Sequence, residues 1–288
     1  MPAGTRVLLL PERRRFAGQD FSPAFARSAR RFLQAAAGTS GESAQLQRHF
    51  RCEPDGWPMA ALCRQAGQAD AGQAQWLFAD PAHLQMEMRD ARLMAWDTLQ
   101  LSESETDAIL QALAPVFADA GYGFLSGDGR FFLRAAADEP LPAFTPAPEM
   151  LGCTLSEHLP ADRRWTALFN ECQVILYNHP LNVERQRRGM ATVNALWFWG
   201  QGRLPSTVRH GFARIESSAW DIRALAARGQ AGADGELLDL RHVRDWGAVE
   251  AAYEVSLATV FDFADGGIWH WRPAFRWHLW RRHSLVLA

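Results

Sequence analysis

The sequence contains no lysine, so all 30 of its basic residues are arginines. Without a lysine amine, Schiff-base chemistry, a lysine general base and the phosphate-binding lysine of a P-loop are excluded. An anion site in this chain would have to be built from arginine, histidine or backbone amides. The sequence also lacks a G-x-S-x-G nucleophile elbow and a glycine-rich dinucleotide fingerprint. It therefore supports no assignment of catalytic residues.

Paired cysteines, long apolar runs and a large net charge are missing as well. The four cysteines form no C-x-x-C pair, which disfavours a metal or disulfide framework and is typical of a reducing compartment. No run of about 18 apolar residues is present, and residues 7–10 are too short an apolar stretch for a signal peptide. The formal net charge of −2 disfavours nucleic acid and acidic membranes as partners. We therefore expect a cytoplasmic protein with no metal or other cofactor and no membrane contact.

Strand-like and helix-like segments alternate along the chain, which predicts an α/β fold with a mixed sheet and flanking helices. Residues 6–10 form a short apolar run that Pro11 ends, as expected of a buried strand. Apolar residues three or four apart predict a helix over 22–37, and a weaker pattern predicts another over 58–66.

Two helices and one hairpin carry explicit end signals. Ser102 and Glu105 form the S-x-x-E pattern of a capping box, in which each side chain binds the other residue's free backbone amide. Asp162 can cap a second helix that ends before Pro180. The glycine-rich turn at residues 127–129 predicts a hairpin.

Two strands are expected to end at residues that disfavour strand structure. Asp80 and Pro81 should end a strand that begins near Trp76. A Gly-Gln-Gly turn at residues 200–202 should follow a strand over 193–199 and expose backbone amides at its end.

The residue pattern of the sequence changes at Trp76, and this change suggests the domain organisation. It divides an N-terminal α/β portion, residues 1–75, from a second portion, residues 76–288, although both could form one compact unit. The second portion closes with a C-terminal hairpin that is rich in tryptophan and arginine.

Polar residues concentrate at structural breaks between His179 and Arg203. Arginine can clamp a carboxylate or phosphate through two parallel hydrogen bonds, and a glycine turn offers backbone amides. We therefore expect an anionic small molecule to bind here, through His179, Asn182, Arg185, Asn194, Trp199, Gly200, Gly202 and Arg203. In the alternative interpretation, His179 and Asn182 cap a helix end and the glycines only turn the chain.

The spacing of these residues resembles a known family. The pattern H-P-x-N-x-x-R-x-x-x-G-x-x-x-x-N-x-x-W-x-W-G-x-G-R over residues 179–203 resembles the RpfE-type bacterial family, named for regulation of pathogenicity factors. It is also similar to the archaeal type of cofactor-independent phosphoglycerate mutase, in the alkaline phosphatase superfamily. The string at residues 76–84 resembles the start of the shared region, and the likeness covers roughly residues 76–229. It implies an alkaline-phosphatase-superfamily-like fold, or one derived from the inserted lid region of such an enzyme.

The chain departs from the mutases where their chemistry takes place. The resemblance implies a metal-bound serine nucleophile and two divalent cations held by aspartates and histidines. Here the first strand is followed by Pro11, Glu12 and Arg13, and no H-x-x-x-H cluster appears. An isolated Glu149 stands where those mutases have a His-Asp string. The chain thus resembles the substrate-covering part of a mutase more than its catalytic core.

Three functions follow from these patterns. The leading interpretation is a catalytically degenerate, RpfE-type protein that binds an anionic small molecule or a protein partner in a regulatory role. The first alternative is a metal-dependent phosphoryl-transfer enzyme, a phosphoglycerate mutase or phosphatase, with acids such as Asp80, Glu149 or Asp221. The sequence leaves open whether the protein is an enzyme and favours a negative answer.

The second alternative is a nucleic-acid-associated module built on the C-terminal segment. Aromatic residues interleaved with arginines, at 269–272 and 275–283, can stack on single-stranded nucleic acid. The same alternation fits a terminal strand that places Trp269 and Trp271 in the core and His270 and Arg272 on the other face. The slightly negative net charge favours the core interpretation.

Overall fold

The computed structural model describes residues 4–54 and 56–272, which form two compact units. Unit 1 consists of the described parts of Met1–Glu53 and Thr207–Ala288, and unit 2 is Pro54–Ser206. The sequence predicted a division at residue 75 instead. The difference arises because residues from both ends of the chain pair within one sheet of unit 1, which the change in residue pattern at Trp76 does not reveal.

The elements follow one another along the chain in a mixed order. The strands are β1 (Arg6–Leu10), β2 (Leu33–Ala37), β3 (Phe50–Glu53), β4 (Gln75–Met86), β5 (Ala91–Ala95), β6 (Gly123–Gly127), β7 (Arg130–Ala135), β8 (Ala195–Arg203), β9 (Thr207–His210), β10 (Phe212–Glu216), β11 (Gly229–Gln230), β12 (Gly235–Asp239), β13 (Thr259–Phe263) and β14 (Gly267–Trp271). The helices are α1 (Pro23–Phe32), α2 (Glu42–Gln47), α3 (Met59–Gln68), α4 (Glu103–Asp119), α5 (Ala147–Met150), α6 (Arg163–Tyr177), α7 (Pro180–Arg187), α8 (Trp220–Ala227) and α9 (Trp246–Ala252). The expected mixed α/β class is confirmed.

Unit 1 is built around a sheet with the strand order β10-β12-β1-β13-β14-β2 in the described part of the chain. β10, β12, β1 and β13 run parallel, while β14 is antiparallel to β13 and to β2. The predicted strand at residues 6–10 is therefore the central β1, and its residues 7–10 are fully buried, as expected of a strand covered on both faces. Within the described residues, β11, β9 and β3 form a further small sheet.

An aromatic core packs on one side of this sheet. Phe25 lies against Trp246 and Trp271, with ring centroids 5.5 and 5.7 Å apart. Trp269 and Trp271 on β14 are 3% and 1% exposed and belong to this core, whereas His270 between them lies on the other face. This agrees with the core interpretation of residues 269–272. Residues 275–283 lie outside the described residues.

The helix expected over residues 22–37 ends early. α1 stops at Phe32, and residues 33–37 form β2, paired antiparallel with β14 from Leu33↔Trp271 to Ala37↔Gly267. The apolar spacing of this segment suits a helix, but pairing with a strand more than 200 residues away provides hydrogen bonds that local propensity does not predict.

Unit 2 confirms the helix and hairpin signals. In the capping box of α4, the amide of Glu105 donates to Ser102 Oγ at 3.2 Å and the amide of Ser102 donates to Glu105 Oε2 at 2.8 Å. Asp162 caps α6 by accepting from the Arg164 amide at 2.8 Å. The turn between β6 and β7 has positive φ at Asp128 and Gly129, 49° and 73°, which is the geometry of a type I′ hairpin turn.

Both predicted strand breaks are wrong. β4 continues through Asp80 and Pro81 to Met86, paired with β8 as far as Ala82↔Ala195. Pro81 is tolerated because, on the other flank of β4, the pairing with β7 ends at Phe78 and the pairing with β5 begins at His83.

β8 likewise continues through the Gly-Gln-Gly sequence. Its register against β4 shifts between Trp76 and Phe78, so the glycines lie in a β-bulge rather than in a turn. The backbone amides that the turn was expected to expose are therefore part of a strand.

Candidate functional site

His179 and Asn182 lie where α6 meets α7. His179 is the N-cap of α7, and its Nδ1 accepts from the Leu181 amide at 3.2 Å. The Asn182 side chain is 5% exposed and makes three hydrogen bonds to the backbone. Its Nδ2 donates to the carbonyls of Leu176 and Val193 at 2.7 and 2.9 Å, and its Oδ1 accepts from the Val193 amide at 2.8 Å. Asn182 thus joins the end of α6 to the segment that leads into β8.

Arg185 is 1% exposed and is bound on every side of its guanidinium. Nε donates to the Ala191 carbonyl at 2.7 Å, Nη2 to the Leu99 carbonyl at 2.6 Å and Nη1 to Glu105 Oε1 at 2.9 Å. We call these four residues the Arg185 cluster. Burial opposes the charge of Glu105, but the Ser102 amide and Arg185 outweigh it and lower the pKa of this carboxyl. Glu105 therefore caps α4 with one oxygen and holds α7 with the other.

Asn194 and Trp199 hold β8 against β4. Asn194 exchanges two side-chain hydrogen bonds with the backbone of Leu84, both 2.8 Å long. Trp199 Nε1 donates to Asp80 Oδ2 at 2.7 Å, and Arg130 Nη1 donates to the same oxygen at 2.8 Å. Asp80 is 3% exposed; burial raises its pKa, against the opposing charge of Arg130. This first candidate acid is thus part of a buried ion pair.

Gly200 and Gly202 allow β8 to approach the start of α3 closely. A Cβ at Gly200 would lie 3.0 Å from the Phe78 ring and 3.3 Å from the Ala60 amide nitrogen. A Cβ at Gly202 would lie 2.8 Å from Pro58 Cβ. Their φ angles of +66° and +140° also favour glycine. Arg203, the last residue of β8, is exposed.

Most of the eight residues of the predicted anion site therefore have structural roles within the protein. Hydrogen bonds within the protein engage His179, Asn182, Arg185, Asn194 and Trp199, and packing accounts for the two glycines. The alternative interpretation, in which His179 and Asn182 cap a helix end, describes the geometry of these two residues. Anion binding by this segment stays a prediction.

A second concentration of charge lies in unit 1, at the carboxyl edge of the parallel strands. Open α/β sheets usually bind ligands at this edge, because the loops that follow parallel strands meet there. Residues that follow β10 and β12 converge at this edge with residues of α2 and α8. We call the group the carboxyl-edge cluster: Glu42, Ser217, Asp221, Asp239 and Arg241.

Arg241 is the centre of this cluster. Its guanidinium makes paired hydrogen bonds to both aspartates: Nε and Nη2 to Asp239 at 2.9 and 3.1 Å, and Nη1 and Nη2 to Asp221 at 2.8 and 3.0 Å. Ser217 Oγ donates to Asp239 Oδ2 at 2.7 Å, and Glu42 Oε2 lies 3.7 Å from Arg241 Nη1. Asp221, the second candidate acid, is thus ion-paired as well.

The pKa shifts in the cluster follow from these contacts. Burial alone would raise the pKa of Asp239, but the hydrogen bonds and charge of Arg241 outweigh it and lower the pKa. The pKa of Glu42 is raised, because partial desolvation of its half-exposed side chain and the neighbouring carboxylates of Asp221 and Asp239 outweigh the attraction of Arg241.

A separate network is centred on Asp262 of β13. The Asp262 side chain is 1% exposed and accepts two hydrogen bonds from Arg48, at 2.9 and 2.5 Å, and lies 2.7 Å from His49 Nε2. Burial is outweighed by these two partners, and the pKa of Asp262 is lowered. Gln45 Nε2 joins the network to β1 by donating to the carbonyls of Leu10 and Asp262. The network ties α2 and its following loop to the centre of the sheet.

The sequence interpretation missed the carboxyl-edge cluster except for Asp221. A signal was present, since Asp239 ends β12 two residues after the buried Leu237, and Arg241 follows two residues later. Polar residues immediately after a buried parallel strand are candidates for the functional edge. Glu149, the third candidate acid, lies on α5, within unit 2.

Within 4–54 and 56–272, no group of three or more histidine, cysteine, aspartate or glutamate residues is arranged to hold a metal ion. In the same ranges, no helix has the length and apolar character needed to span a membrane.

Comparison with known proteins connects the chain to phosphoglycerate mutases. No model of a known protein family matches it. It is 28% identical over 109 residues to a probable 2,3-bisphosphoglycerate-independent phosphoglycerate mutase of Geobacter sulfurreducens, covering 36% of this chain and 27% of that protein. It is 24% identical over 119 residues to the enzyme of that name in Methanosarcina barkeri, covering 40% of this chain and 30% of the relative. The matches thus span less than a third of these relatives and support a phosphoglycerate-mutase-like scaffold.

Two solved structures align with this chain over most of their length, but the similarity is weak. A cofactor-independent phosphoglycerate mutase from Thermoplasma acidophilum has a TM-score of 0.39 and 14% identity, covering 95% of this chain and 90% of that chain. The PH0037 protein from Pyrococcus horikoshii has a TM-score of 0.44 and 11% identity, covering 94% and 88%.

Proposed function

We propose that this chain is a catalytically degenerate phosphoglycerate-mutase-like protein of the RpfE type, which acts in regulation by binding a partner in the cytoplasm. The proposal rests on one observation, the ion pairing of the acids at the carboxyl edge. Asp221 and Asp239 are both paired with the Arg241 guanidinium, so neither is available to activate a nucleophile without first breaking an ion pair. The sequence similarity to mutases, over 36–40% of the chain, supports a phosphoglycerate-mutase-like scaffold.

A turnover assay tests the absence of catalysis. The full chain is incubated with 3-phosphoglycerate in the presence of Mn²⁺ or Mg²⁺, and formation of 2-phosphoglycerate and free phosphate is followed by ³¹P NMR. We expect no conversion above the protein-free control. Conversion that a chelator abolishes, and that an Asp239→Asn variant lacks, would replace this proposal with the phosphoryl-transfer alternative.

Of the two kinds of partner, a protein has better support than an anionic small molecule. Arg185 has its donors engaged within the protein, which leaves Arg203 as the exposed arginine of the predicted anion site. The hairpin of β4 and β5, by contrast, exposes Met86, Met88 and Met94 to 70, 97 and 45%. Flexible, polarisable methionines are common on surfaces that bind proteins.

The small-molecule partner is tested by thermal shift with 3-phosphoglycerate. A ligand at about 100 times its Kd stabilises the folded state by about 2.7 kcal/mol. We expect no such stabilisation in the wild type. A saturable rise in Tm that disappears in Arg203→Ala, and persists in the exposed control Arg187→Ala, would show that the segment binds anions after all.

A further inference from the structure

The resemblance to mutases implies divalent cations held by aspartates and histidines, and the carboxyl edge of this chain does not fit such ions. A divalent cation such as Mg²⁺ or Mn²⁺ needs several oxygen ligands at about 2.0–2.2 Å with lone pairs directed at it. In the carboxyl-edge cluster, the position between Asp221 and Asp239 is filled by the Arg241 side chain. A cation could bind between the two aspartates only by displacing this side chain.

Both carboxylates are engaged by donors of the protein itself. Asp239 Oδ1 accepts from Arg241 Nε and from the Arg241 amide, while Oδ2 accepts from Arg241 Nη2 and Ser217 Oγ. Asp221 Oδ1 accepts from Arg241 Nη2 and from the Ile222 amide, while Oδ2 accepts from Arg241 Nη1. Each carboxylate oxygen thus has a donor, and the planar guanidinium satisfies both acids at once.

We infer that the Arg241 guanidinium is the built-in counter-ion of the carboxyl edge, supplying from within the protein the positive charge for which the resemblance to mutases implies divalent cations. The side chains of Arg241, Asp239 and Asp221 are 11, 7 and 15% exposed, so the charges interact with little screening by water. Arginine suits this position because its fork binds two carboxylates in fixed geometry. The inference rests on the proposed absence of catalysis, since a permanent organic cation supplies charge without the Lewis acidity of a metal.

The inference predicts that neutralising the acids rescues the loss of Arg241. In Arg241→Ala, two buried carboxylates face each other without a cation, and we expect Tm to fall by roughly 6–15 °C. In the triple variant Arg241→Ala/Asp221→Asn/Asp239→Asn, the repulsion is absent, and we expect at least half of that loss to be recovered. Arg223→Ala, which removes an exposed arginine of α8, is the control and should leave Tm unchanged.

A variant that fails to fold still gives an answer. If Arg241→Ala is unfolded, a folded triple variant supports the inference and an unfolded one contradicts it. A role of Arg241 in packing alone would leave both variants equally destabilised, since the arginine stem is missing from both.

Titration with Mn²⁺ gives a second readout, independent of turnover. We expect wild-type protein and Asp239→Asn to respond identically to Mn²⁺ in thermal shift and calorimetry. A stabilisation of the wild type by Mn²⁺ that Asp239→Asn lacks would show that the edge holds a metal and would overturn the inference. Failure of the proposed function, by contrast, would appear as turnover of 3-phosphoglycerate.

Discussion

Arg185 in unit 2 is fully buried and Arg241 in unit 1 is largely buried, and the two are held in different ways. Arg185 in unit 2 binds two backbone carbonyls and one carboxylate, whereas Arg241 in unit 1 binds two carboxylates and approaches a third. The first arrangement joins three segments of chain through one side chain. The second concentrates opposite charges at the edge where α/β proteins usually bind ligands.

The groups that bind each arginine distinguish a structural role from a position at the edge where α/β sheets usually bind ligands. The backbone carbonyls of Leu99 and Ala191 accept from Arg185 because those loops need a donor, and an anionic ligand would have to displace them. The aspartates around Arg241 are side chains that substitution can change without altering the backbone. Substitutions in the Arg185 cluster are therefore expected to change the stability of the fold. Substitutions in the carboxyl-edge cluster are expected to change the balance of charge at that edge.

Arg185→Ala should produce the largest effect. The change removes the donor of the buried Leu99 carbonyl, that of the partly buried Ala191 carbonyl and the cation of the Glu105 carboxylate, so we expect a loss of about 3–5 kcal/mol in the free energy of unfolding. Denaturation by urea, monitored by circular dichroism, measures it. Arg187→Ala, two residues further along α7 and 76% exposed, should change stability by less than about 0.5 kcal/mol. A similarly small loss for Arg185→Ala would mean that the arginine is not needed by the fold and is free to bind ligand.

Asn182→Ala should come second. Its three hydrogen bonds to Leu176 and Val193 are buried, and their loss should cost about 2–3 kcal/mol. The control is Asn178→Ala, because Asn178 is exposed and donates to the Val174 carbonyl at the end of α6. Equal effects of the two variants in urea denaturation would contradict the role given to Asn182.

A comparison of Gly200→Ala with Gly189→Ala tests whether close packing requires glycine at position 200. The two φ angles are nearly equal, +66° and +68°, so the backbone strain of about 1 kcal/mol is shared. A Cβ at Gly189 meets nothing within 4 Å, whereas at Gly200 it meets Phe78 and the backbone of Ala60. We therefore expect Gly200→Ala to cost about 1–2 kcal/mol more than Gly189→Ala in thermal or urea unfolding. Equal losses in the free energy of unfolding would mean that Gly200 serves the turn of the chain and that packing does not require it.

The helices and hairpins with local signals could be predicted from the sequence. Ser102 with Glu105, Asp162, and Asp128 with Gly129 each determine their structure within a few residues. The wrong predictions concern strands whose pairing is distant. Asp80-Pro81 and Gly200-Gly202 look like breaks when read locally, but β4 and β8 pair with each other across more than 100 residues.

The candidate site was predicted less well, for a related reason. The segment from His179 to Arg203 was chosen because its polar residues are dense in sequence, but density along the chain does not indicate which groups are already bonded. The carboxyl-edge cluster gathers Glu42 with residues near 217–241, and this convergence depends on the placement of β1 between β12 and β13. Without the strand order, Asp239 and Arg241 are two of many charged residues.

Glu42→Gln should produce the smallest effect, and its sign is informative. The folded-state pKa of Glu42 is raised, so its charge is less favourable in the folded protein, and the penalty is fully present above the folded pKa. Because the side chain is 50% exposed, we expect the variant to be more stable at pH 7 by only a few tenths of a kcal/mol. The gain should vanish as the pH falls below about 4, where glutamate is protonated in both states. Urea denaturation of both proteins at pH 7 and pH 4 measures the difference. A loss of stability at pH 7 would mean that Arg241 needs the third carboxylate, and that the two aspartates alone do not balance its charge.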